Sequence, residues 1–314
     1  MSTVMTWSPE IEHLGDCVLT IGVFDGVHLG HVNLISETVR RATLSGVPSV
    51  LITFDRDPDT VVNPGVDTVQ LLSLAEKIDR LSHTGIERII ILPFDDRMAA
   101  YSPKDFLSLV VLQAMTPRHI IVGEDFRFGN KATGDIRLLT ALAAKSGIDV
   151  LGIPLLELDG APVKSTRIKR HLVDGDVECA KRLLGHPHSL SGTVIHGAGR
   201  GSRLLSIPTI NISTQGASLL PAAGVYSGKA HLVDGGHPAA IFVGSSPSFA
   251  DSRFGVEAHL LGFANDVYAQ KVTLTFETRI RDLQEFATPD ALASAIIADV
   301  DIVRRLSGME PESP

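Results

Sequence analysis

Cysteine is nearly absent from this chain: Cys17 and Cys179 are its only two, far apart and without the close spacing of a metal knot. A disulfide scaffold and a structural zinc site are therefore not expected, and a reducing cytoplasm fits. Positive charge is not in excess either. The formal net charge of −8 argues against a nucleic-acid partner and leaves any anionic ligand to be held by local groups. Long apolar runs are missing: stretches such as Ile89-Ile90-Ile91-Leu92 are far too short to span a bilayer, so no membrane partner is expected. Residues 1–16 carry Glu10, Glu12 and Asp16 and no apolar stretch of the signal-peptide type. There is no internal repeat and no low-complexity tract. What remains is 314 residues with 44% hydrophobic content, long enough for two domains that each bury a core.

The most informative segment present is Thr20-Ile-Gly-Val-Phe-Asp-Gly-Val-His-Leu-Gly-His31. Val18–Val23 reads as a β-branched strand, followed by a turn through Gly22, Phe24, Asp25 and Gly26. His28 and His31 then open a helix whose apolar face is Leu34, Ile35, Thr38 and Val39. Imidazoles three residues apart stand one above the other, where free backbone N–H groups and the helix dipole already favour an anion. Strand, glycine turn and histidine pair suit the holding of a nucleotide's phosphates.

From residue 18 to about 155, strand and helix alternate. Strands are expected at Val18–Val23, Ser49–Phe54, Arg88–Leu92, His119–Val122 and Asp149–Pro154, with helices at 31–45, 73–84, 103–115 and 135–146. This pattern predicts a doubly wound parallel sheet with ligands beyond the carboxyl ends of its strands. Three clusters should share that edge: Thr53–Pro58, Gly123–Gly129 with Asp125 and Arg127, and Lys164–Arg170 with Ser165, Thr166 and Arg167. A helical connector is expected over 165–185, broken at Gly175-Asp176. Beyond it, short period-two runs at Ser191–Ile195, Gly224–Leu232, Ala239–Val243, Val256–Phe263 and Gln270–Arg279 predict an antiparallel barrel or sandwich. A terminal helix starts at Thr288-Pro289 with an apolar stripe of Leu292, Ile296, Ile297, Val300, Val303 and Leu306.

The second half carries its own chemistry. The loop containing Gly199, Arg200 and Gly201 can wrap phosphate through backbone amides. Thr209 and Asn211 are two residues apart, so in an extended segment both point the same way and can reach one Mg²⁺. Glu257, polar in an otherwise alternating strand, is a candidate general base for a hydroxyl attacking a phosphorus.

Gly22 to His31 resembles the H-x-G-H signature of nucleotidylyltransferases, and the order of motifs from about residue 18 to 307 resembles the bacterial bifunctional riboflavin kinase/FAD synthetases. The resemblance implies an FMN adenylyltransferase domain over 1–185 and a riboflavin kinase barrel over 186–314. It implies small-molecule substrates (riboflavin, FMN and ATP), Mg²⁺, and FMN and FAD as products. Carried over by position, His28 and His31 match the nucleotide-binding histidines, Thr209 and Asn211 the metal motif, and Glu257 the base. Six positions depart from the usual motifs: Asp57, Lys164, Lys169, Ser206, Ile210 and Ser246. Those departures leave open a paralogue with one activity or another flavin-like acceptor, and a flavin- or nucleotide-binding regulator without turnover.

Overall fold

The computed structural model describes residues 2–62, 69–195, 208–213, 218–245, 255–263 and 265–309. Its contacts divide the chain into two units: residues 1–70 with 74–164, and residues 71–73 with 165–314.

The first unit is built on six strands, β1 (Thr3–Thr6), β2 (Asp16–Ile21), β3 (Ser49–Phe54), β4 (Arg88–Leu92), β5 (Thr116–Gly123) and β6 (Asp149–Ile153), in the order β1-β4-β3-β2-β5-β6. Every neighbouring pair is parallel. Strand β3 is buried along its whole length, as a strand covered on both faces must be. The chain runs outward from β2 through β3 to β4 and then returns to β5 on the other side of β2. The reversal makes β2/β5 the switch point, with the ligand crevice beyond the carboxyl ends. The expected strands and helices are all present, with β1 and a short hairpin, β7 (Glu157–Leu158) and β8 (Ala161–Pro162), in addition. The helix expected over 103–115 carries a π turn at Phe106–Val111, which brings Phe106, Leu107, Val110 and Val111 all into the core.

The connector is a helix pair, Ser165–Val173 and Val177–Leu184, broken where expected: Asp176 caps the second helix by accepting from Cys179 N, and Gly185 ends it. Both helices pack within the second unit. Glu178 Oε1 accepts from the backbone N of Arg279, Lys181 pairs with Glu277, and Val177, Ala180, Leu183 and Leu184 are buried. His171, Asp176 and Cys179 bring ligand-type atoms within 4.8 Å of one another. The cap and an Arg182 donor 3.1 Å from Cys179 Sγ account for that grouping.

The rest of the second unit is a closed antiparallel barrel of β9 (His188–Ile195), β10 (Ile210–Ser213), β11 (Gly224–Leu232), β12 (Gly235–Gly244), β13 (Gly255–Leu260) and β14 (Lys271–Arg281), ordered β10-β13-β12-β11-β14-β9. Among the described strands of this barrel, closure leaves no edge. Alternation sends Leu190, Ile212, Ile241, Val256, Ala258, Leu274 and Phe276 inward, each almost fully buried. The terminal helix, Pro289–Leu306, is capped by Thr288 and lays Val300 and Val303 near Ala240 on the outer face. Ile297 and Leu306, expected on that stripe, are exposed at 51% and 57%: the barrel covers only a narrow strip of the helix.

Candidate active sites

The first site lies where β2 runs into the first long helix, Leu29–Ser45. The turn is bent far from ordinary backbone. Phe24 (φ 53°), Gly26 (φ 83°) and Val27 (φ 42°) are all left-handed. Glycine accepts this freely, but a β-branched valine does not, and the cost is roughly 1–2 kcal/mol for each non-glycine residue. Such strain collects at functional sites. Gly22 makes room for it, because a Cβ there would stand 3.0 Å from the Phe24 ring.

His28 is the helix N-cap rather than a member of the first turn. Its Nδ1 accepts from the backbone N of His31 at 3.3 Å, so the proton of the neutral ring is on Nε2. The two imidazoles are stacked, with centroids 3.5 Å apart and planes 16° apart, and Phe24 meets His31 edge-on. Burial, the adjacent His28 and the Lys77 charge hold His31 well below the ordinary histidine range, and its Nδ1 is buried without a hydrogen-bond partner.

The segments after β3 and β5 flank this turn, since β3 and β5 are the two neighbours of β2. Asp55 accepts from Phe94 N and pairs with Arg56, and Asp57 accepts from Asp59 N. Asp125 is bridged to Lys164 at 2.7 Å, and Arg127 stands 61% exposed with Asp135 3.9 Å away. Ser165, Thr166 and Arg167 open the helix Ser165–Val173 of the second unit. The residue that sequence reasoning missed is Lys77. It is 1% exposed, and its Nζ donates to Phe54 O at 2.8 Å and Val23 O at 3.2 Å. A lysine on an amphipathic helix otherwise reads as a solvent-facing residue.

The second site is on the outer face of the barrel. Strand register sets Asn211 of β10 directly opposite Glu257 of β13, and Phe242 of β12 opposite Glu257 on its other side. Opposed residues have Cβ atoms roughly 5 Å apart. Thr209 stands just before β10, two residues ahead of Asn211, and His259 Nδ1 donates to Pro208 O at 2.8 Å, tying down the chain just ahead of it. Neither Phe242 nor His259 was legible without the register. Ile210, one of the departures from the usual motifs, lies opposite Ala258 on the barrel's inward face, so its bulk is turned away from Asn211. Gly199, Arg200, Gly201, Ser206 and Ser246 lie outside the described residues.

A FAD synthetase family model matches residues 10–167, and a riboflavin kinase family model matches residues 184–307. A bifunctional riboflavin kinase/FMN adenylyltransferase of Pseudomonas fluorescens is 34% identical over 297 residues, 94% of each chain. Its Escherichia coli K12 counterpart is 31% identical over 294 residues, 93% of each. A solved structure described as a macrolide-efflux protein from Streptococcus pneumoniae superposes with a TM-score of 0.87 at 28% identity, covering 96% of this chain and 98% of that one. In this chain, no described helix is long and apolar enough to cross a membrane. With both halves matched in order and curated relatives aligned along nearly its whole length, the chain belongs to the bifunctional riboflavin kinase/FMN adenylyltransferase family, enzymes of flavin-cofactor synthesis that phosphorylate riboflavin to FMN and adenylylate FMN to FAD.

Proposed function

We propose that the parallel-sheet unit carries adenylyl transfer and the barrel unit carries phosphorylation, each with its own ATP. In the first reaction a phosphate oxygen of FMN attacks the α-phosphorus of ATP. The bond from that phosphorus to the bridging oxygen breaks, and pyrophosphate leaves. Here the protein aligns groups and stabilises charge rather than forming covalent bonds. The Nε2–H of His28 and the free amides at the start of Leu29–Ser45 donate to the ATP phosphates. His31, kept neutral, adds a directional contact without a like charge beside His28. Gly22, Phe24, Asp25 and Gly26 shape the approach, and Asp125 and Arg127 serve the acceptor or adenosine side.

In the second reaction the primary hydroxyl of riboflavin attacks the γ-phosphorus, its proton passes to Glu257, and ADP leaves. The pairing of Asn211 with Glu257 across adjacent strands carries this reading: a hard oxygen donor and a carboxylate share one face, next to Thr209. That donor set fits Mg²⁺, which prefers oxygen ligands and keeps several waters. Thr209 and Asn211 would hold it on the nucleotide, where it supplies positive charge to the phosphates. Gly199, Arg200 and Gly201 would cradle the same phosphates through backbone amides.

Chromatographic product analysis tests the division, with riboflavin and FMN as separate starting materials and ATP and Mg²⁺ present. Riboflavin should yield FMN and then FAD, and FMN should yield FAD directly. Unchanged flavin in both reactions would refute it.

A further inference from the structure

Beneath the strained turn sits a buried cation that the mechanism above does not use. Lys77, on the helix Leu74–Ser82, is almost completely enclosed and reaches the carboxyl ends of both β2 and β3. Its ammonium donates to Phe54 O, the last residue of β3, and to Val23 O, the carbonyl immediately before left-handed Phe24. Thr53 Oγ1 donates to that same Val23 carbonyl at 3.0 Å. Two donors from two elements therefore fix the peptide plane at which the chain enters the turn. The charges acting on Lys77 are Asp25 in the turn and Asp55 and Asp57 after β3, and Lys77 in turn acts on His31 of the first long helix. On β4, Arg88 stands at the opposite, amino end of its strand and is bound to Leu14 O.

We propose that Lys77 is a positioning residue for adenylyl transfer: by holding the Val23 and Phe54 carbonyls with a charged donor, it sets the turn that presents His28 and His31, and transfer slows when that donor loses its proton. The proposal rests on the reading that the histidine pair holds the ATP phosphates. A neutral amine keeps two N–H groups but loses the charge that strengthens their bonds. Burial lowers the Lys77 pKa from 10.5 to about 8, the three carboxylates opposing the shift, so the loss falls within a range the enzyme can be assayed in.

A purely structural lysine would give a different pH signature. Between pH 8 and 10.5 the unfolded chain binds the lysine proton and the folded chain does not, so this group makes the fold more stable as pH rises. An alkaline fall in rate traced to Lys77 therefore cannot come from unfolding.

The test uses the full chain and measures FMN-to-FAD conversion and riboflavin phosphorylation side by side, from pH 6.5 to 9.5. Lys77→Met should lower kcat for FAD formation by about 10- to 100-fold, the range expected when reacting groups are slightly misplaced, with phosphorylation unchanged. The parent should show an alkaline limb near pH 8, and the remaining activity of Lys77→Met should lack it. Asp57→Asn keeps an oxygen to accept from Asp59 N but removes one charge that favours the ammonium, so it should move the limb to lower pH by a few tenths of a unit. Parent-like kcat and limb in Lys77→Met, or an unmoved limb in Asp57→Asn, overturns the proposal. A parallel His28→Ala variant separates the two readings. If it loses FAD formation while Lys77→Met does not, the lysine's role alone falls. If both make FAD at the parent rate, the histidine site falls and takes the proposal with it.

Discussion

His28 has two candidate jobs, capping a helix and binding phosphate, and two isosteric replacements can part them. Its Nδ1 accepts the His31 amide at 3.3 Å, at the long end of hydrogen-bond geometry, so the cap is worth about 0.5–1 kcal/mol. Losing that from a stability of several kcal/mol leaves nearly every molecule folded and cannot by itself slow turnover. A donor aimed at charge that develops in the transition state is worth about 10²–10³ in rate, or roughly 2.7–4 kcal/mol. Asn places an acceptor where Nδ1 was and nothing where Nε2 was. Gln places an amide nitrogen near Nε2 and no acceptor at the cap. His28→Asn should therefore melt with the parent yet lose on the order of 100-fold or more in FAD formation. His28→Gln should melt about 2 °C lower but keep more of the activity. Differential scanning fluorimetry and a coupled pyrophosphate assay read both, with riboflavin phosphorylation as the internal control. If His28→Asn makes FAD at the parent rate, the histidine is a cap and its assignment to the ATP phosphates is wrong.

Glu257→Gln should cut riboflavin phosphorylation by about 10²–10⁴-fold while FMN supplied directly is still adenylylated; equal loss of both activities would point to misfolding instead. Arg281 grips Asp299 of the terminal helix through Nε and Nη2 at 2.9 and 2.7 Å, and Asp299 is only 5% exposed. Asp299→Ala should thus cost about 3–5 kcal/mol by stranding the guanidinium, seen as a drop in the barrel's Tm on the order of 10 °C. A drop below about 2 °C would mean that solvent reaches the pair. Because His31 is held neutral in the fold, the unfolded chain takes up a proton that the folded chain refuses, and stability should fall as pH drops below 6.5. Urea denaturation at pH 7.5 and 5.5 checks this, and His31→Gln should flatten the difference.

The parts of the molecule that local pattern encodes were readable in the chain. Ser49–Phe54 and Arg88–Leu92 are runs whose length and β-branching name them as strands, and Thr288-Pro289 and Asp176 carry their caps in one or two letters. Features set by partners distant in sequence were not readable. Thr3–Thr6 is a strand because β4, more than eighty residues later, offers it an edge. Lys77 is buried because two carbonyls from separate strands end beside it, and nothing in its own helix announces that. The stripe on the terminal helix is apolar over a wider arc than the barrel can cover, so Ile297 and Leu306 remain exposed.

The second site shows why spacing and register have to be read together. Thr209-x-Asn211 guarantees only that in an extended segment two oxygen-bearing side chains share a face, not which face or what they meet. Pairing Asn211 with Glu257 settles both, because it puts Ile210, Ile212, Val256 and Ala258 inward together. A slip of β10 by one residue along β13 would turn Ile210 and Ile212 outward and drive Asn211 into the apolar interior, away from Glu257, at a cost of roughly 1.5–3 kcal/mol for each apolar side chain exposed. Core packing that closes the barrel therefore also holds donor and base together. Bulk at position 210 falls on the core side of that arrangement. An isoleucine there strengthens the register that presents Asn211 and Glu257, and an Ile210→Ser change should loosen phosphorylation by freeing the strand rather than by opening space around the metal ligands.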